Sequence, residues 1–205
     1  MVKIVEPAYE IINFPSGALS LIERCGRVAY KSEDKITDES APNFVEMVVT
    51  RGHESVIEHA VMGVWFLTDR GISHELVRHR LASYTQESTR YVDYGKAGEI
   101  TVIKPSGIED GSRADELWLD AVKDAEFSYN TMRTAGAPPQ VARSVLPTCT
   151  KTEIIATANL REWKHILELR CGAAAHPDIA RLMKPLRAEL RERLPQIFGR
   201  ESERD

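Results

Sequence analysis

The sequence has few cysteines and no long apolar run, and each shortage excludes a class of protein. Its three cysteines, Cys25, Cys149 and Cys171, are odd in number and form no CxxC pair. A disulfide framework is therefore not expected, and a reducing compartment suits the thiols. The longest apolar stretch, 61–67, is far shorter than the roughly 20 residues that a spanning helix needs. The N-terminus lacks the apolar core of a signal peptide. We therefore expect a cytoplasmic protein with no membrane partner.

The sequence also has no excess of positive charge. The formal net charge is −4 and the isoelectric point is about 5.9, which argues against a nucleic-acid partner. The cations are nevertheless biased, because 18 are arginine and 9 are lysine. Arginine binds phosphate and carboxylate groups through two parallel hydrogen bonds, so the bias points towards small anionic ligands.

Common nucleotide-binding motifs are absent as well. The sequence contains neither GxGxxG nor a Walker motif, and its strands and helices follow no regular βαβ rhythm. We predict an α+β fold, in which a small mixed or antiparallel sheet packs with helices, and no Rossmann fold. A length of 205 residues suits a single domain over 1–205, or two tightly fused halves. The last ten residues or so are expected to form a loose tail.

Hydrophobic periodicity and turn residues predict the elements. Strands are predicted over 3–14 (or a hairpin there), 60–68, 99–104 and 150–157. Helices are predicted over 18–30, 40–52, 71–81, 114–135, 140–146 and 160–171. A last amphipathic helix begins near 179, and Pro185 should kink or divide it. The polar segment 83–98 is predicted to be a functional loop.

The densest group of chemically active side chains is the segment RHRLASYTQESTRY over 78–91. If 73–81 is helical, Arg78 and Arg80 leave it about 200° apart with His79 between them. They would then line two adjoining ligands, or serve two subunits. The hydroxyls, amide and guanidinium that follow suit a phosphate and a polar ring. The alternative is a solvated basic helix end with a polar loop.

Two further segments carry candidate groups. Four of the six histidines fall between 53 and 79, and His53, His59, His74 and Glu58 are possible metal ligands. Their spacing matches no common zinc motif, so a hydrogen-bonded structural role is preferred and no metal is predicted. Asn159 should cap the helix that follows, on which Arg161 and His165 share a face. From spacing alone, both could be solvated. Arg143 either pairs internally or faces a ligand.

These residues resemble the flavin-dependent thymidylate synthases. Arg78, His79, Arg80, Ser83, Ser88 and Arg90 match the family signature RHRxxSxxxxSxR. Three flanking segments agree in order and distance: GHES with EH over 52–59, VAR with LP over 141–147, and NLR with LR over 159–170. The resemblance covers about residues 1–195. It differs at position 75, where Glu replaces the common Gln, at His165, where Asn also occurs, and at 172–177, which is rich in alanine.

The resemblance implies reductive methylation of dUMP to dTMP, with 5,10-methylenetetrahydrofolate as carbon donor and NADPH as reductant through FAD. It implies a homotetramer with active sites at the subunit interfaces. The implied FAD contacts are Ser55, Arg78, His79, Arg80, Gln86, Asn159, Arg161 and His165. The implied dUMP contacts are Glu75, Leu76, Val77, Arg78, Gln86, Glu87, Ser88, Thr89, Arg90, Arg143 and Arg170. Arg170 would be catalytic, because it favours ionisation of the uracil at N3.

Two rival classes remain open at this point. One is a nucleic-acid-binding module built on 78–80. A salt-dependent shift in the electrophoretic mobility of DNA would support this class. The other is a metal-dependent hydrolase that uses the histidines at 53, 59 and 74, which metal analysis would decide. No serine or cysteine nucleophile with a local base is evident, and GxSxG is absent.

Overall fold

The computed structural model describes residues 2–96 and 98–199, and its elements confirm the predicted α+β class. The strands are β1 (Lys3–Ile4), β2 (Ala8–Asn13), β3 (Val61–Asp69), β4 (Ala82–Gln86), β5 (Thr101–Val102) and β6 (Lys151–Asn159). The helices are α1 (Ala18–Val28), α2 (Ser40–Thr50), α3 (Arg70–Leu76), α4 (Arg113–Thr134), α5 (Pro139–Ala142), α6 (Leu160–Cys171), α7 (Pro177–Arg193) and α8 (Pro195–Phe198).

The strands form two small sheets. β1 and β5 pair in parallel, with Lys3 opposite Thr101 and Ile4 opposite Val102. The other four strands lie in the order β2-β3-β6-β4. Along β6 buried and half-buried side chains alternate, as expected for a strand whose two faces differ. Neither sheet is a doubly wound parallel sheet of the nucleotide-binding type.

The described chain divides into two compact units. Unit 1 comprises 2–8, 66–78 and 84–155, and unit 2 comprises 9–65, 79–83 and 156–199. The prediction of a single domain over 1–205 remains a prediction. Of the predicted C-terminal tail, residues 200–205 lie outside the described residues, whereas 195–198 form α8. Within the described chain, every helix is too short or too polar to cross a bilayer.

Each unit has its own buried core. In unit 1, aromatic and aliphatic side chains from α4, α5, β5 and the segment before β5 pack together: Tyr94, Ile100, Val102, Val122, Tyr129 and Ala142. In unit 2, α6 packs on α7, α1 on α2, and α8 on both α2 and α7. Trp163 on α6 is fully buried there, and its indole Nε1 donates to the Met62 carbonyl at 3.0 Å. That bond ties α6 to the first half of β3.

Two predictions about the central segment are wrong. The helix predicted over 71–81 ends at Leu76, and 77–81 form a turn. The Leu76 carbonyl accepts from the Tyr84 hydroxyl at 2.7 Å, so a side chain from β4 satisfies this helix end. Arg78 and Arg80 therefore do not project from a helix, and the angle of about 200° between them does not apply.

The loop predicted over 83–98 is also partly ordered structure. Its first residues belong to β4, which lies last in the order of the four-stranded sheet. An outer strand can be polar on the side that faces water, so its sequence lacks the apolar alternation that reveals a strand. Residue 97 lies outside the described residues.

Smaller differences concern proline and strand length. Pro7, which has no amide hydrogen, lies between β1 and β2 in the segment predicted as a strand or hairpin. The strand predicted over 99–104 is only Thr101–Val102. Pro185 does not divide α7, which carries buried residues on both sides of the proline and packs against α6. We conclude that burial along this face outweighs the hydrogen bond that Pro185 removes.

Candidate active site

In unit 2, α6 begins directly where β6 ends. Asn159 is the N-cap, and its Oδ1 accepts from the Glu162 amide at 2.9 Å, which confirms the predicted cap. Helical spacing then places Arg161 and His165 four residues apart, with Arg170 in the last turn. The predicted flavin contacts on this helix therefore lie on a rigid element.

A buried histidine holds the predicted catalytic arginine. Arg170 Nε donates to His79 Nε2 at 2.9 Å, and the His165 ring meets the His79 ring edge-on, with 5.9 Å between centroids. His79 is 5% exposed. Its burial, and the charges of Arg170 and His165, lower the pKa of His79 from 6.5 to about 4. His79 is therefore neutral at pH 7.

The remaining unit 2 candidates are near the surface. Arg161 Nη1 contacts Glu58 Oε1 at 2.6 Å, and its Nε lies 3.8 Å from Glu54 Oε2. These contacts raise the pKa of the Arg161 guanidinium, with the hydrogen bond to Glu58 as the largest cause. Ser55 and Arg80 are exposed. The guanidiniums of Arg80 and Arg161 are thus within reach of an anion from solvent.

Beside α6 lies a cleft of about 1040 Å³. Leu169, His165 and the alanine-rich segment 173–175 are among the residues that line it. Three cations of α7 also line it: Arg181, Lys184 and Arg187. This combination of apolar surface and positive charge suits a ligand with a flat ring and acidic groups.

In unit 1, two of the predicted dUMP contacts already serve the protein. The Gln86 Nε2 donates to Ser73 Oγ at 2.8 Å and to Thr152 Oγ1 at 3.1 Å. The Glu87 carboxylate accepts from the Tyr94 hydroxyl and, at 3.0 Å, from Lys151 Nζ. Both side chains therefore brace β4 and the turn after it.

The exposed arginines of unit 1 are the groups that could bind an anion. Arg143 Nη1 donates to the buried Thr89 Oγ1 at 3.1 Å. Thr89 directly precedes Arg90 in the sequence. Arg90 is exposed, and its guanidinium carbon lies 5.6 Å from the centre of the Tyr91 ring. Arg78 is also exposed. The structure thus places Arg143 against Thr89, the residue that precedes Arg90 in the turn 88–90.

Three other predicted contacts differ in their accessibility. Leu76 is 1% exposed and belongs to the core, so only its backbone could reach a ligand. Val77 is exposed and Glu75 is half-buried. Ser88 Oγ accepts from the Arg90 amide at 3.3 Å, which stabilises the turn that carries Arg90. Among the unit 1 candidates, Gln86, Glu87 and Ser88 support the turn, whereas Arg78, Arg90 and Arg143 are accessible cations.

The supporting residues were missed by the sequence analysis. Arg70 Nη1 donates to Thr152 Oγ1 at 3.3 Å and to the Glu87 carbonyl at 3.4 Å, which ties α3 to the turn after β4. Glu162, in unit 2, is 7% exposed and lies 3.8 Å from His79 Nδ1. Its position three residues after the Asn159 cap is a capping signal that could have drawn attention to it. The other supporting residues carry no such signal.

The metal alternative finds no support in the described part of the chain. Across 2–96 and 98–199, no three histidine, cysteine, aspartate or glutamate side chains come close enough together to hold a metal ion. The three cysteines are free thiols, and burial raises the pKa of Cys149 and of Cys171. High thiol pKa values disfavour a thiolate nucleophile at neutral pH.

The stability of the fold should depend on the charge of His79. In the unfolded chain its pKa returns to 6.5, so between pH 6.5 and about 4 the unfolded state binds more protons at this residue. Folded-state stability should therefore fall as pH drops through this window. The groups that face His79 are Arg170, His165 and Glu162, all on α6. As pH drops from 6.5 to about 4, we expect the melting temperature of the wild-type protein to fall more steeply than that of His79→Gln. Above pH 7 the two curves of melting temperature against pH should run parallel. Parallel curves throughout would contradict the low pKa.

The α+β fold presents exposed arginines, a residue type that suits small anionic ligands. Residues 10–196 match the family model described as thymidylate synthase complementing protein. Flavin-dependent thymidylate synthases from Mycolicibacterium vanbaalenii and Corynebacterium efficiens are each 34% identical, over 89% of this chain and 79% of theirs. The Mycolicibacterium gilvum enzyme is 34% identical over 94% of this chain and 83% of its own. The chain therefore belongs to the flavin-dependent thymidylate synthase family, which confirms the resemblance seen at 78–90.

A solved structure agrees on the fold. The UMP/dUMP methylase PolB from Streptomyces cacaoi, crystallised with 5-Br dUMP, superposes with a TM-score of 0.79. The match covers 97% of this chain and 96% of that one, at 22% sequence identity. The likeness therefore shows a shared fold across nearly the whole chain.

Proposed function

We propose that this chain is a flavin-dependent thymidylate synthase that converts dUMP to dTMP. Methylenetetrahydrofolate supplies the carbon, NADPH supplies the reducing equivalents through FAD, and tetrahydrofolate and NADP⁺ leave. The observation that supports this most directly is the half-buried Arg170, whose guanidinium is held by neutral His79 at 2.9 Å. A fixed cation of this kind is what activation of a uracil ring requires.

The chemical problem is that C5 of uracil is a poor nucleophile. Loss of the N3 proton, or polarisation of O4, raises the electron density at C5. A preorganised guanidinium stabilises the resulting anion because its charge and donors already point at the developing charge. Arg170 can do this without a covalent bond to the enzyme. The high thiol pKa values of Cys149 and Cys171 agree with such a mechanism.

The accessible cations of unit 1 suit the phosphate of dUMP. Arg90 belongs to the turn 88–90, Arg143 donates to Thr89 in that turn, and Arg78 is exposed in the same unit. A phosphate dianion binds such guanidiniums through charge-assisted hydrogen bonds. We therefore propose Arg78, Arg90 and Arg143 as direct contacts, and Gln86 and Glu87 as residues that hold the turn in place. PolB acts on UMP as well as dUMP according to its title, so both nucleotides should be tested.

The residues of unit 2 fit FAD by their chemistry. A dinucleotide needs cations for its diphosphate, and Arg80 and Arg161 provide them. Ion pairs at the surface contribute at most about 1 kcal/mol, so a diphosphate can displace Glu58 from Arg161. The cleft beside His165 is wide enough for an aromatic ring system. When bound, FAD would carry reducing equivalents to the transferred carbon.

Several FAD contacts remain proposals from the family resemblance: Ser55, Arg78, His79, Arg80, Gln86, Asn159, Arg161 and His165. Of these, Asn159 uses its side-chain oxygen as a helix cap, and His79 uses Nε2 to accept from Arg170. Direct flavin contacts at these two residues would therefore come from other atoms. We further propose a cytoplasmic homotetramer whose active sites lie at subunit interfaces.

A visible absorbance spectrum of the purified protein tests the proposal first. We expect a flavin spectrum that NADPH bleaches under anaerobic conditions, at a rate that dUMP changes. Incubation with NADPH, methylenetetrahydrofolate and either dUMP or UMP should then yield the 5-methyl nucleotide, with dUMP preferred. A colourless protein that takes up no added FAD would refute the proposal. If UMP is methylated in preference to dUMP, UMP replaces dUMP as the proposed substrate.

Arg90→Ala is expected to raise the KM for dUMP about 10- to 100-fold, because one charge-assisted contact to phosphate is worth roughly 1.5–3 kcal/mol. The turnover number kcat should change less than about threefold, because this contact is the same in the ground and transition states. Steady-state kinetics with dUMP as the varied substrate measures both. Arg113→Ala, at an exposed position of α4, is the matched control and should leave KM unchanged. An unchanged KM with a collapsed kcat would contradict the assigned role.

A further inference from the structure

We infer that Glu162 and His79 form a positioning pair for Arg170, in the order carboxylate, imidazole, guanidinium. The inference rests on the proposed function, because it assigns Arg170 the catalytic role. All three side chains belong to unit 2. Glu162 and Arg170 are on α6, and His79 lies in the turn before β4.

The hydrogen bond itself determines which tautomer His79 adopts. A guanidinium has no acceptor, so Arg170 Nε can only donate, and His79 Nε2 must be the unprotonated nitrogen. The single hydrogen of the neutral ring is then on Nδ1. The Glu162 Oε1 lies 3.8 Å from Nδ1, so the carboxylate favours the tautomer that Arg170 needs.

The burial of the pair makes this arrangement effective. Glu162 is 7% and His79 5% exposed, so water competes little for either group. The guanidinium is planar and rigid, so fixing Nε also fixes the directions of both terminal nitrogens. Residues that do not touch the reacting groups commonly orient those that do, and a carboxylate that orients a histidine is a frequent form of this. Here the histidine in turn holds the reactive guanidinium. Neither Glu162 nor His79 needs to touch the substrate for this purpose.

Three variants separate positioning from a merely structural role. His79→Leu removes the acceptor, His79→Gln can return one through its amide oxygen, and Glu162→Gln removes the charge that favours the tautomer. We expect Glu162→Gln and His79→Leu to lower kcat at least about tenfold, in line with the effect of other outer residues. The KM for dUMP should change less than about threefold. His79→Gln should recover most of the lost kcat.

The matched control is Glu192→Gln, the same change at an exposed position of α7, which should keep wild-type kcat. Melting temperature is measured for every variant to detect loss of the fold, and flavin content is measured separately, because His79 is also a proposed FAD contact. Equal losses of kcat in His79→Leu and His79→Gln, or wild-type kcat in His79→Leu, would overturn the inference.

A measurement on the wild-type protein does not depend on activity or on variants. With ¹⁵N-labelled arginine and histidine, a scalar coupling between Arg170 Nε and His79 Nε2 across the hydrogen bond is expected in NMR spectra. The histidine signal should show Nδ1 protonated at pH 7. A doubly protonated ring, or the opposite tautomer, would overturn the inference. If the coupling is present but no dTMP forms, the pair stands as a structural feature and the proposed function fails.

Discussion

Arg170→Ala is expected to lower kcat about 10²- to 10³-fold, the cost of removing one preorganised donor to a developing anion. Flavin content should be little changed, because the proposed FAD cations, Arg80 and Arg161, are untouched. Arg170 carries the charge that the uracil anion needs, so its loss acts on the transition state rather than on retention of the cofactor. Parallel turnover assays and flavin titrations would measure the two effects on the same preparation.

Arg170→Lys is the informative companion, because it keeps the charge and loses the planar fork. A lysine cannot donate to His79 and at the same time point two further donors in fixed directions. The kcat of Arg170→Lys should therefore be closer to that of Arg170→Ala than to that of the wild type. Arg193→Ala, whose guanidinium pairs with Glu189 at the surface of α7, should behave as wild type. Equal losses of turnover and flavin binding in Arg170→Ala would argue that Arg170 serves the cofactor instead.

Trp163→Ala is expected to destabilise the fold by about 3–5 kcal/mol, as large aromatic deletions in cores do. The indole is fully buried in unit 2, and its loss would leave both a cavity and the Met62 carbonyl without its partner. Chemical denaturation followed by circular dichroism would measure the change in unfolding free energy.

Trp163→Phe isolates the hydrogen bond, because it keeps most of the packing. It should cost less, about 1–3 kcal/mol, mainly from the unsatisfied carbonyl. Losses below about 1 kcal/mol in the alanine variant would contradict the packing of α6 described above. Because α6 carries Arg161, His165 and Arg170, we also expect the alanine variant to bind flavin poorly near its melting temperature.

The sequence predicted α6 to the residue, and it did so for local reasons. A capping asparagine at 159 and helical spacing up to 171 define that helix without any contact from elsewhere in the chain. The signature at 78–90 and its flanking segments were likewise sufficient to place the chain in its family. These signals lie within short windows, so one sequence is enough to find them.

What the sequence did not predict depends on contacts between distant segments. The end of α3 at Leu76 depends on the hydroxyl of Tyr84, and the polar strand β4 is ordered by pairing within its sheet. The supporting roles of Gln86 and Glu87 depend on Thr152 and Lys151, more than sixty residues later. The low pKa of His79 arises from its burial and from Arg170, which is 91 residues away in the sequence. Neither cause can be read from the residues adjacent to His79.

Two strands pass into helices without a loop, at Asp69–Arg70 and at Asn159–Leu160. In both, the last strand residue is also the cap, since Asp69 Oδ1 accepts from the Ile72 amide at 2.8 Å as Asn159 does from Glu162. One extra residue at the second junction would rotate all of α6 by about 100°, and would turn Arg161, His165 and Arg170 away together. The direction in which these three side chains point thus depends on the exact number of residues at this junction. An insertion within 105–112, by contrast, would change the register of no helix or strand.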